Sequence, residues 1–128
     1  MAVTQSMSDN DTTSRTGRSA EELAAHHLEQ QGLTISARNY RCRGGEIDLI
    51  CRDGKTLVFV EVRLRRNASF GGASASITRS KQQRIALAAQ HYLLANGKTD
   101  APCRFDCLLL DRLSNQHIEW LRDAFSVD

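Results

Sequence analysis

"GGEIDLICRDGKTLVFVEVR", Gly44 to Arg63, is the stretch on which the reading of this chain turns. It reads as two β-strands around a turn, rich in Ile, Leu, Val and Phe. Yet it carries Glu46, Asp48 and Glu61 inside the strands. Carboxylates are rarely buried without a partner, because desolvating a charge is costly. Either these acids face solvent or they hold something positive.

Strand side chains alternate between faces. Asp53-Gly54 is a strong two-residue turn signal, and as the loop it pairs Arg52 with Lys55. Glu46 then lies opposite Glu61, and Asp48 is a diagonal neighbour of Glu61 on the same face. Ile47, Leu49 and Cys51 share the other face with Val58, Val60 and Val62. A four-residue loop keeps this register, whereas a three-residue loop sends Asp48 and Glu61 to opposite faces. The apolar faces match only in the even register. Like charges set close together on a sheet destabilise it. A solvated face is one answer; a divalent cation, Mg²⁺ or Mn²⁺ with oxygen ligands, is the other.

Outward from the hairpin, Ser19 and Glu22 form a capping-box pattern that opens a helix to about Gln31, closed by Gly32. Ala20, Leu23, Ala24, His27 and Leu28 lie along one side of it. "LTISARNYRC" then reads as a strand. "LRRNASFGGASASI" reads as a mobile Gly/Ser/Ala-rich loop. Ser80 with Gln83 opens a second helix, with Ile85, Ala88, Ala89, Tyr92 and Leu93 as its buried stripe and Asn96-Gly97 as its end. "CRFDCLLL" and "HIEWL" are strands. The order is α-β-β-β-α-β-β. Residues 1–16 are polar and aperiodic, a disordered tail; 17–128 form one domain.

The 128 residues are 41% hydrophobic, enough for one modest core, and carry a formal charge of +2. That total hides an uneven distribution. Residues 62–99 hold Arg63, Arg65, Arg66, Arg79, Lys81, Arg84 and Lys98, and no acid. Such a segment suits a polyanion, and Arg65, Arg66, Arg79 and Arg84 are the candidate nucleic-acid contacts. Phe70, among these bases, is equally suited to stacking on a nucleobase or packing on the sheet. Cys42, Cys51, Cys103 and Cys107 form no CxxC, which argues against a zinc site. No signal-peptide pattern and no bilayer-length apolar run is present. The expectation is a reduced, cytoplasmic protein without a membrane partner, its cysteines acting mostly as small hydrophobes. His27 and Trp120 are expected at the core.

The pieces "GRSAEELA", "NYRCRGGEIDLI", "FVEVRLR", "FGG", Lys81, "RFD" and "DAF" resemble the YraN family of uncharacterised proteins. That family is similar to the PD-(D/E)XK nucleases, most of all to Holliday-junction resolvases. The resemblance implies a restriction-endonuclease-like α/β fold, a mixed central sheet flanked by helices. It implies Asp48 and Glu61 as the motif acids and Glu21 as the helical acid that completes a Mg²⁺ or Mn²⁺ site. It also implies a DNA substrate, branched or single-stranded, and by analogy a homodimer. Arg63 stands where that superfamily has its catalytic lysine. Arg is effectively always protonated and so a poor base, but it can stabilise phosphate charge. Lys81, four residues before Ile85 and so on the same helix stripe, can stand in for the lysine. The alternative is a nucleic-acid-binding or protein-interaction module on the same fold, without turnover.

Overall fold

The computed structural model describes residues 12–64, 77–111 and 118–126, and for 12–18 the backbone only. Arg65, Arg66 and Phe70 lie outside the described residues. The elements are α1 (Thr12–Gln30), β1 (Thr34–Cys42), β2 (Gly45–Asp53), β3 (Thr56–Leu64), α2 (Arg79–Ala95), β4 (Cys103–Leu110) and β5 (Ile118–Phe125). They form a five-stranded sheet in the order β1-β2-β3-β4-β5. Only the β3–β4 pair is parallel, joined by the α2 crossover; the others are antiparallel.

The two faces of the sheet bury separate clusters. Ala24, Ala25 and Leu28 of α1 cover Leu49, Cys51, Val58, Val60 and Leu108. Ile85, Ala88 and Ala89 of α2 cover Ile47, Ile50, Leu57, Phe59 and Phe105. Both helical stripes are those set by the 3.6-residue period.

Three local expectations are corrected. First, α1 begins at Thr12, not at Ser19. Between them Gly17 disfavours a helix most, by ~1 kcal/mol, and the threonines less, but no proline breaks it. Second, the cap of α2 is Thr78, whose Oγ1 accepts from the Lys81 amide at 3.1 Å; Ser80 lies inside the helix. Third, the hairpin is one pair out of the expected register. Asp53 pairs with Thr56 and Ile50 with Phe59, so Gly54-Lys55 forms the turn. Gly54 takes φ +63°, at the first turn position, where a type II′ hairpin needs glycine. The shift is by a whole pair, so Asp48 and Glu61 keep the same parity. They become direct neighbours across the strands instead of diagonal ones.

The facing of β2 also differs from strict alternation. Ile47 packs under α2 while Leu49 packs under α1, although two residues usually share a face. The cause lies at Asn39 and Asp48. Arg38 pairs with Leu49 and Tyr40 with Ile47, so Asn39 lies opposite Asp48, and Asn39 has φ +51°. Asn tolerates that left-handed conformation better than most residues. The distortion turns the first half of β2 down onto α2. Gly45 permits the approach: a Cβ there would sit 2.5 Å from the Arg84 carbonyl oxygen. The β2–β3 pairs run no further than Leu49–Val60, and this divergence opens the end of the sheet where the acids lie.

Candidate active site

Where β2 leaves β3, the Val62 amide loses its strand partner. Asp48 replaces it, accepting that N–H on Oδ2 at 2.8 Å. This bond fixes the Asp48 carboxylate beside Glu61. Glu61, only 4% exposed, points to the α2 side and meets Lys81, whose Nζ lies 2.8 Å from Oε2. Lys81 is in the first turn of α2, on the stripe of Ile85, as its spacing predicts. Glu21 approaches Asp48 from α1. A pocket of about 340 Å³ is lined by Glu21, Asp48, Glu61, Arg63 and Lys81, with Ala20, Val62 and Leu64. The residues singled out as catalytic or cation-binding thus meet in one place, contributed by α1, β2, β3 and α2.

The electrostatics of this pocket are unbalanced. Burial first, and the Asp48 charge second, push the Glu61 carboxyl up to about 7 against the lowering effect of Lys81. Glu21 is likewise raised, first by burial and then by Asp48, with Asn39 and Arg41 pulling it back. Three acids therefore compete for too little positive charge. Their donor chemistry, all carboxylate oxygen, fits a hard divalent cation. Among the described residues, no three His, Cys, Asp or Glu side chains converge as a metal-holding set.

Another acid shows the opposite case. Asp106, fully buried on β4, fills a second strand irregularity, where the register shifts between Phe105 and Cys107. It accepts the Asp123 amide at 2.9 Å, the Trp120 indole N–H at 2.9 Å and the Arg104 Nε at 3.0 Å. Arg104 also reaches Asp53 at 3.1 Å. Asp106 is compensated on every side and serves the fold. Sequence reasoning gave it no role; its signal was an acid set between Phe105 and Cys107, two residues after Arg104. Asn39 and Arg41, beside Glu21, were also passed over. The available signal was an Asn inside a strand run.

The remaining candidates separate. Arg79 is exposed, at the start of α2. Arg84 is paired to Glu46 at 3.2 Å on the outer side of α2, so Glu46 belongs to that pair and not opposite Glu61. Trp120 packs on the α1-side core, edge-on to His27 at 6.3 Å. Cys51 and Cys107 are buried, with thiols pushed up to about 12 by burial, and act as hydrophobes. Cys42 is half-buried and Cys103 exposed.

Comparison with known proteins gives a family without an assigned activity. Residues 20–110 match the model of "Uncharacterised protein family UPF0102". A UPF0102 protein of Dechloromonas aromatica is 62% identical over 93% of this chain and 95% of its own. One of Methylobacillus flagellatus is 54% identical over 86% of this chain and 96% of its own. One of Saccharophagus degradans is 54% identical over 88% and 94%. The matched region spans Glu21, Asp48, Glu61, Arg63 and Lys81.

Proposed function

This chain belongs to the UPF0102 family, and we propose that it is a metal-dependent phosphodiesterase of the PD-(D/E)XK type acting on DNA. The observation that carries the reading is the meeting of Glu21, Asp48, Glu61, Lys81 and Arg63 around one pocket at the open end of the sheet. Glu61 is buried beside the half-buried Asp48, and among the described residues their one cationic contact is Lys81, whereas Asp106 is held on three sides.

Asp48 and Glu61, with Glu21, would hold Mg²⁺ or Mn²⁺, which supplies a water of lowered pKa and a Lewis acid for a phosphate oxygen. Lys81 would leave Glu61 Oε2 for that oxygen to become available, and its ammonium would then lie close enough to meet the phosphate. Arg63, half-buried in the same pocket, stays protonated and acts on charge developing at the phosphate, not as a base. Arg79 and the basic residues after Arg63 would hold the flanking backbone through phosphate contacts.

A second reading is favoured by two features. Arg63 occupies the lysine position, and Lys81 already neutralises part of Glu61, which suits a binding module that has lost turnover. Cleavage assays with Mg²⁺ and Mn²⁺ on flaps, forks, junctions and single strands decide between the two. The nuclease reading expects metal-dependent cleavage, retained or raised in Arg63→Lys. It expects a loss of about 10²–10³-fold in Arg63→Ala, the usual effect of deleting one transition-state donor. No cleavage by the natural protein or by Arg63→Lys on any of these substrates leaves the binding module.

A further inference from the structure

A second concavity lies against α2, outside the acidic pocket. It is a groove of about 730 Å³ between α2 and the strands β4 and β5. Arg79, Gln83, Ala86 and Gln90 line its helix side, spaced three and four residues apart and so along one stripe. Phe105 and Phe125 line its sheet side. Their rings stack on each other at 5.1 Å between centroids, and Phe105 stacks in turn on Phe59 at 5.4 Å. The sheet side of the groove thus carries the nearly buried Phe105, the half-buried Phe125 and Asp123, facing amides that both donate and accept hydrogen bonds.

We propose that this groove takes an unpaired nucleobase of the DNA strand whose backbone passes the acidic pocket. This rests on the nuclease reading and adds a substrate class to it: strands with unstacked bases. Three observations favour a base over a peptide or a second copy of the chain. The first turn of α2 borders both concavities, with Lys81 in the acidic pocket and Arg79 and Gln82 in the groove. A strand crossing that turn passes from one to the other. The helix from Arg79 to Ala95 carries Arg79, Lys81 and Arg84 and no acid, which suits a phosphate backbone. Aromatic rings with amide edges opposite are the chemistry by which single-stranded bases are held, by stacking and edge hydrogen bonds. The volume falls in the range of small-ligand sites.

The test is binding, read by fluorescence anisotropy in Ca²⁺ buffer, with a single-stranded oligonucleotide and the blunt duplex of the same sequence as probes. Ala86→Trp fills the groove. Gln83→Ala with Gln90→Ala removes its hydrogen-bonding edge without adding bulk, and keeps the test open if the first variant folds poorly. Expected is a preference of the natural protein for the single strand. Each variant should weaken single-strand binding, by at least about fivefold for Ala86→Trp, the lower end of a base–aromatic stack, with duplex binding unchanged. Equal binding of both probes by the natural protein overturns the inference and leaves the nuclease reading standing. So does unchanged single-strand binding in both variants, or a parallel loss on both probes. Loss of self-association in sedimentation on filling the groove makes it a copy–copy interface and likewise overturns it. Binding of neither probe removes the nuclease reading and this inference together.

Discussion

Glu61 is the residue whose chemistry separates a site from a structural acid. Its folded pKa of about 7 lies above the ordinary 4.5, chiefly because it is buried and secondarily because Asp48 is charged beside it. A raised carboxyl binds its proton more tightly in the folded chain than in the unfolded one. The resulting stability is full below about 4.5 and is lost as pH rises through about 7. In metal-free buffer the melting temperature of the natural protein should fall across that window relative to Glu61→Gln, which has no proton to lose. Thermal melts of both proteins over pH check this; parallel curves would mean that the Lys81 ammonium fully compensates Glu61. At the same scale, Asp106 is a structural acid, accepting from Arg104, Trp120 and the Asp123 amide. Asp106→Asn leaves Arg104 with Asp53 as a partner but weakens a fully buried acceptor of three hydrogen bonds, so it should cost about 1–3 kcal/mol. Denaturant unfolding reads that loss, and an unchanged midpoint would deny the network its structural role.

The first half of β2 is the element that makes the site, because it turns away from β3 and onto α2. Gly45 allows this, and a Cβ there meets the Arg84 carbonyl oxygen at 2.5 Å and the Ala88 amide at 2.9 Å. Those are backbone atoms, which cannot swing aside as a side-chain end can. Gly45→Ala should therefore destabilise by about 1–3 kcal/mol, the range for overpacking, as read by the urea midpoint. It should also loosen Lys81 from Glu61, since both effects act through the seat of α2. An unaltered midpoint would show that α2 floats on β2. Much of this element was legible beforehand. Alternation of Val58, Val60 and Val62 with Phe59 and Glu61 gives the facing of β3, and its parity puts Asp48 beside Glu61. The turn was misread by one pair because Asp-Gly and Gly-Lys both suit a two-residue loop, and the strands alone do not choose between them. The flip of Ile47 was not legible, since it depends on Asn39 across the β1–β2 ladder, a contact the local pattern of β2 does not contain.

Across the whole molecule, four elements bring one polar side chain or more to a single pocket, while two apolar clusters hold the sheet between α1 and α2. The element order and the helix stripes followed from periodicity, and the acidic trio from hairpin parity together with family resemblance. The α2 groove left no trace in the sequence, because its walls come from residues more than 30 positions apart, such as Ala86 and Phe125. The proposed function requires Asp48 and Glu61, with Glu21, to hold one divalent cation. Calorimetric titration of Mn²⁺ into the natural protein and into Asp48→Asn tests it most directly. Asp48→Asn keeps an oxygen for the Val62 amide and removes the charge, so metal-free stability should be equal or higher as repulsion with Glu61 is relieved. One Mn²⁺ per natural chain is expected, with proton release near pH 7 as Glu61 gives up its proton, and none in Asp48→Asn. Equal Mn²⁺ binding by both proteins, or none by the natural one together with a clear loss of stability in Asp48→Asn, would contradict it.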